Sequence, residues 1–275
     1  MTEILNSETL KEKYEKLKNY IASLESVAVA YSGGVDSTFL LKISHDVLGG
    51  KATAVTVRSS LVSGRELGEG EKFCSENKIT QIFCPVDIFK VEGLKENPEN
   101  RCYICKKNLF TKILELARER GIKNVIEGSN VDDLSDYRPG LKALKELEIK
   151  SPLQTAGLTK KEIRELSKNF NLPTWNKPSF ACLASRFEYG EEITEEKLKM
   201  IDDAENLLIK MNFRQFRVRL HGKIARIEIL PEDFEKIMQE QTRKKIYSEL
   251  KNLGFSYVTL DLKGYRTGSM NEVMF

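Results

Sequence analysis

The sequence has 275 residues, 40% hydrophobic and 31% charged, with 44 Lys and Arg against 41 Asp and Glu, and five cysteines. This is about 1.8 times a typical ~150-residue domain, which predicts two domains. The net charge of +3 argues against a protein held on nucleic acid by bulk charge. An odd number of thinly spread cysteines excludes a disulfide scaffold, no run approaches the ~20 apolar residues of a membrane helix, and no signal-like apolar segment opens the chain. A cytoplasmic protein with free thiols and no membrane partner is expected.

Leu10, Tyr14, Leu17, Ile21 and Leu24 recur at helical spacing, with Ser7 placed to cap them. The apolar run Val27 to Ala30 reads as a buried strand. It ends in Tyr31-Ser-Gly-Gly-Val-Asp-Ser37, and Thr38 to Leu48 reads as a helix. Strands follow at Ala52 to Val57, Gln81 to Val86 and Asn124 to Glu127, separated by helices at Glu66 to Asn77 and Lys106 to Arg120. Such alternation implies a parallel sheet with helices on both faces, an α/β fold. A polar loop with Asp132, Asp133, Asp136 and Arg138-Pro-Gly140 comes next, then the apolar stretch Ile149 to Leu153 and a helix from Lys160 to Phe170. From Asn176 to Gly190 no periodicity is visible, and a long irregular segment of this kind points to function. Beyond it come a helix (Glu195 to Met211), a hairpin (Gln215 to Leu220 and Ile224 to Leu230), a long helix (Glu232 to Leu253) and a last strand (Tyr257 to Leu262). The expected domains are 1–193 and a small α+β domain, 194–275.

The hexapeptide Ser32-Gly33-Gly34-Val35-Asp36-Ser37 between a strand and a helix has the makings of an anion site. Its glycines allow close backbone approach, the helix N-terminus supplies N–H groups, and Ser32 and Ser37 add hydroxyls. The Walker loop has Lys where Asp36 stands, so this is a different loop, and an acid beside a phosphate makes sense if it holds Mg²⁺. The motif resembles the PP-loop of the ATP pyrophosphatases. That resemblance implies attack of a substrate oxygen on the α-phosphorus of ATP, release of pyrophosphate and later displacement of AMP. Arg58 and Gly128 lie at strand ends that should line the nucleotide crevice.

Cys102-Tyr-Ile-Cys105 sits among Arg101, Lys106 and Lys107, and Cys182 lies in the irregular segment. Zinc, a redox disulfide and an iron-sulfur cluster are all open readings of the pair. Three thiolates fall one short of a closed zinc site, whereas on a four-iron, four-sulfur (4Fe-4S) cluster they leave one iron open. Cys74 and Cys84 read as core thiols.

The PP-loop, Asn100-Arg-Cys-Tyr-Ile-Cys-Lys106, Glu127-Gly-Ser-Asn-Val-Asp-Asp133, Arg138-Pro-Gly140 and Pro178-Ser-Phe-Ala-Cys-Leu-Ala-Ser-Arg186 occur in this order. Together they resemble the LarE family, ATP-dependent sulfur transferases that build the nickel-pincer nucleotide cofactor. The resemblance implies two chemical types: a cysteine at the position of Cys182 that surrenders its own sulfur, or a cluster on three cysteines that carries a transferable sulfide. Cys102, Cys105 and Cys182 favour the second. The implied cofactors are ATP, Mg²⁺ and a 4Fe-4S cluster, the partners a small nucleotide substrate and sulfide or another sulfur donor, and the protein a homo-oligomer. Ser32, Gly33, Gly34, Asp36, Ser37, Arg58 and Gly128 would bind ATP, Cys182, Asp36 and Arg186 would take part in catalysis, and Arg217 and Arg219, on one strand face, would bind substrate phosphate. The competing readings are a tRNA thiolation enzyme, a cluster or zinc carrier, and an amide-forming synthetase that leaves the cysteines idle.

Overall fold

The computed structural model describes residues 8–135, 139–178, 181–266 and 268–270. Ser7, Asp136, Arg138, Ser179 and Phe180 lie outside them. Two compact units form, one from residues 1–91 with 100–180 and the other from 92–99 with 181–275.

In the first unit α1 (Glu8–Ser23) leads to β1 (Val27–Ala30), α2 (Val35–Leu48), β2 (Ala52–Arg58), α3 (Gly64–Glu76) and β3 (Gln81–Pro85). After the 92–99 excursion come α4 (Arg101–Glu119), β4 (Asn124–Ile126), α5 (Gly140–Glu146), α6 (Pro152–Thr155) and α7 (Lys160–Asn169). The strands are parallel in the order β3-β2-β1-β4, with Val27 opposite both Ala52 and Asn124. The chain builds outward from β1 to β3, then returns to the other side of β1. That reversal leaves a crevice at the carboxyl ends of β1 and β4, where nucleotides bind in open α/β sheets. The apolar stripe of α1 is buried, as its spacing requires, in one core with Phe39, Leu40, Leu41 and Ile43 of α2 and Val27 and Val29 of β1.

Two expectations in this unit need correction. The helix read from Lys106 begins at Arg101, because nothing in residues 101–105 breaks it, so Cys102 and Cys105 stand on its first turns. The stretch Ile149 to Leu153 makes one bridge, Lys150 to Ile126, and then Pro152 opens α6. A proline lacks the N–H that a ladder needs but suits the first turn of a helix.

The second unit contains α8 (Glu195–Lys210), β5 (Phe216–His221), β6 (Ile224–Ile229), α9 (Phe234–Met238), α10 (Glu240–Asn252) and β7 (Tyr257–Leu260). β5 and β6 form the expected antiparallel hairpin across Gly222 (φ 59°), and β7 adds parallel to β6. The single long helix expected from Glu232 is broken at Gln239, which is extended (φ −56°, ψ 135°). Ile237 and Ile246 are both buried. In one continuous helix they would be about 2.5 turns apart, on opposite faces, and the break brings both inward. Segment 92–99 is tied in by backbone bonds from Gly190 to Asn97 (2.9 Å) and from Ile193 to Lys95 (2.8 Å). Residues 188–193, ahead of the expected boundary at Thr194, thus pack with this unit. None of the described helices is long and apolar enough to cross a membrane.

Candidate active site

β1 delivers Ser32 to the crevice, and the loop turns at Gly33, whose φ of 71° is open to glycine at little cost. Gly34 precedes α2 and provides no side-chain cap, so the first N–H groups of the helix face the loop uncapped. The two serine hydroxyls are 3.1 Å apart, and Ser37 Oγ donates to Gly34 O. Gly128, just past β4, comes so near that a Cβ there would lie 3.1 Å from Ser37 N and 3.3 Å from Asp36. Buried Glu127 fixes this neighbouring loop by accepting from Ser129 N, Ser129 Oγ and Ser151 Oγ. Arg58 ends β2, where it stacks 3.6 Å from the centroid of Phe83 and pairs with Glu71 at 2.8 Å.

Two lysines that sequence reasoning missed converge on the loop. Lys160, at the start of α7, pairs with Asp36 Oδ2, while Asn130 Nδ2 donates to Oδ1 at 3.4 Å. Its helix is anchored by a capping box, Thr159 with Glu162, and Lys160 N donates to Asp132 Oδ2 at 2.9 Å. Lys177 Nζ donates to Gly33 O at 3.0 Å and to Glu69 at 2.8 Å. A loop whose own sequence lacks lysine therefore has two from elsewhere. The only sequence signal for Lys160 was its place after a capping Thr, and Lys177 lay in the aperiodic run.

Cys102 and Cys105, half-buried on α4, belong to the first unit, and exposed Cys182 belongs to the second. Their spacing of three puts the first two on one helix face. Cys74 and Cys84 are buried, and burial pushes both thiols up, Cys74 to about 12. Among the described residues no three His, Cys, Asp or Glu side chains stand together as a metal site.

In the second unit Cys182 precedes a single tight turn, residues 183–186. Arg186, 1% exposed, makes a bidentate pair with Glu205 (2.9 and 2.7 Å) and donates from Nη1 to Ala181 O, Cys182 O and Ser185 Oγ. Arg219 donates to Ser185 O and pairs with Glu228 at 2.9 Å, which Ser269 also contacts. Arg217, buried on the same strand face, donates to Phe216 O and lies 5.1 Å from the Tyr265 ring centroid. These are buried pairs, not the surface pairs that arginine and glutamate ordinarily make. Burial pushes the Glu205 carboxyl up, but the charges of Arg186 and Arg217 and the bonds it accepts outweigh this and hold it below the carboxylate range. Arg217 is pulled down to about 10, first by burial and then by Arg186.

The chain is 36% identical over 271 residues to the pyridinium-3,5-bisthiocarboxylic acid mononucleotide synthase of Lactiplantibacillus plantarum, covering 97% of this chain and 96% of the relative. It belongs to the LarE family. An uncharacterized protein of Synechocystis, slr1717, is 41% identical over 96% of this chain and 99% of its own length. A glutamine-hydrolyzing GMP synthase polypeptide of Methanocaldococcus jannaschii is 28% identical over 71% of this chain and 66% of its own. No family model matches. The LarE chain is thus an enzyme of the sulfur-transferase kind with a PP-loop α/β domain.

Proposed function

We propose that this enzyme converts a carboxylate of a pyridinium dicarboxylate mononucleotide into a thiocarboxylate, with MgATP as the activating substrate. One observation carries the reading. A PP-loop with an uncapped helix N-terminus, Ser32, Ser37 and two incoming lysines stands in a chain similar over its length to a synthase whose product is a bisthiocarboxylic acid mononucleotide. The carboxylate oxygen attacks the α-phosphorus, the bond to the β-phosphate oxygen breaks, and pyrophosphate departs. The acyl adenylate has AMP as leaving group, and a sulfur nucleophile attacks its carbonyl carbon to expel AMP. Ser32, Gly33, Gly34 and Ser37 hold the departing pyrophosphate. Asp36 exchanges Lys160 for the magnesium of MgATP, which frees Lys160 to face the phosphates. Gly128 keeps the wall of the crevice thin, and Arg58 flanks it.

Cys102, Cys105 and Cys182 are the donors we assign to a 4Fe-4S cluster, since thiolates are its natural ligands. With three protein ligands such a cluster, when bound, would supply an iron open to a transferable sulfide. Arg186 acts here as a positioning residue, because its guanidinium is committed to Glu205 and to the carbonyls of Ala181 and Cys182. Arg217 and Arg219, buried on one strand face, are assigned to the phosphate of the anionic substrate.

The test is anaerobic measurement of iron and acid-labile sulfide on the wild type and on Cys102→Ala, Cys105→Ala and Cys182→Ala, alongside pyrophosphate release and thiocarboxylate formation. Loss of iron in all three variants supports the cluster. Conversion of Cys182 to dehydroalanine with turnover in iron-free protein would favour the sacrificial route, and thiolation of tRNA instead of the mononucleotide would overturn the substrate assignment.

A further inference from the structure

We propose that Lys177 is a positioning residue that sets the direction of the Gly33–Gly34 peptide and thereby the anion-binding competence of the loop. This rests on the reading that the loop holds pyrophosphate. In a trans peptide the carbonyl of one residue and the N–H of the next lie in one plane and point opposite ways. The chain has no cis bond among its described residues. Holding Gly33 O on one side therefore aims Gly34 N–H to the other.

This peptide needs such a hold. It joins two glycines, Gly33 at φ 71° and Gly34 at φ −80° and ψ 169°, so no Cβ on either side opposes its reversal. Lys177 Nζ is 3.0 Å from Gly33 O, 2.8 Å from Glu69 Oε2 and 3.6 Å from Glu66 Oε1, and its side chain is 10% exposed. The ammonium thus donates to one carbonyl and to Glu69, and Glu66 on the same first turns of α3 adds a second carboxylate charge beside it. The backbone that carries Lys177 is held as well, since Arg164 donates to Trp175 O at 2.7 Å and to Lys177 O at 2.9 Å. Ser63 caps α3 through Glu66 N, which fixes the helix that presents the two carboxylates.

Attraction between Lys177 and the phosphate is a weaker account, because two carboxylates already surround the one ammonium. The accounts differ in sign at Glu69. Removing a carboxylate beside an anion site should tighten anion binding if field strength governs, and weaken it if Glu69 helps hold Lys177 on the carbonyl.

The experiment is calorimetric titration of the full chain with magnesium pyrophosphate and, separately, with adenosine, on wild type, Lys177→Met and Glu69→Gln. Lys177→Met is expected to weaken pyrophosphate binding by about tenfold or more, the scale of a lost charged hydrogen bond, with adenosine binding unchanged. Glu69→Gln, at an exposed position, is expected to weaken it by about threefold. Wild-type affinity in Lys177→Met, or tighter binding in Glu69→Gln, would overturn the proposal. If Lys177→Met does not fold, the sign of the Glu69→Gln effect decides alone. A wild type that binds no pyrophosphate sinks the adenylation reading and this inference together, whereas wild-type binding left intact in both variants sinks this inference alone.

Discussion

Replacement of Gly128 by Ala tests whether the crevice is as tight as its backbone suggests. The φ of Gly128 lies outside the left-handed region, so alanine is permitted by the backbone and only space opposes it. The new methyl would sit 3.1 Å from Ser37 N and 3.3 Å from the carbonyl carbon and Cβ of Asp36. Two of these three atoms are main chain of the α2 first turn, which the Ser32–Ser37 contact and the buried α2 side chains hold in place, so the strain cannot escape through a flexible side chain. Overpacking of one methyl costs about 1–3 kcal/mol. Borne by the atoms that face the phosphates, that corresponds to a loss of about 5- to 150-fold in kcat/KM for MgATP. Initial rates of pyrophosphate release against MgATP concentration measure it, with melting temperature as the control for global damage. A Gly128→Ala enzyme within twofold of wild type would refute the claim that this strand end is pressed against the loop.

Further outcomes follow from the ion pairs and thiols. Lys160→Met should lower the rate of pyrophosphate release by at least about tenfold, as expected for a charged group facing the transferring phosphates, and Lys160→Arg should restore part of it; equal rates in all three proteins would remove Lys160 from the site. Glu205→Gln leaves Arg186 buried without its full partner and should cost about 3–5 kcal/mol in denaturant unfolding, together with faster alkylation of Cys182 as its loop loosens. Because Glu205 is held below the ordinary carboxylate range in the folded state, its contribution is complete above the unfolded value of about 4.3 and is lost as pH falls through the folded value; the Glu205→Gln protein should therefore show a shallower loss of stability with acid than the wild type. Alkylation of the native, cluster-free protein at pH 8 should label Cys182 and spare Cys74 and Cys84, whose thiols burial pushes up; early labelling at Cys74 would contradict its packing.

The local chemistry of the loop was legible because its glycines, hydroxyls and flanking strand are contiguous in the chain. The α1 stripe and the strand positions were legible for the same reason, being periodic over short windows. Lys160 and Lys177 were not, since they reach Asp36 and Gly33 across 124 and 144 residues and neither sits in a pattern that marks it. Arg217 and Arg219 could be placed on one strand face by alternation. The pairing of Arg219 with Glu228 and its bond to Ser185 O could not, because alternation tells which side a residue faces and not what covers that side. The break at Gln239 is not legible in the sequence, because a polar residue within a helical run gives no sign that the inward face must change phase there.

The excursion of residues 92–99 has a consequence for how this protein can be divided. The polypeptide passes between its two units at residues 91–92, 99–100 and 180–181. The second passage falls two residues before Cys102 is reached, and the third immediately before Ala181 and Cys182. A fragment that begins at residue 181 would leave behind the carbonyls of Lys95 and Asn97 that receive Ile193 and Gly190. Excising 92–99 to restore them would sever the chain next to the Cys102–Cys105 helix. The small unit is therefore not a separable module, and recombination that exchanged it between relatives would have to cut at all three passages and move 92–99 and 181–275 together.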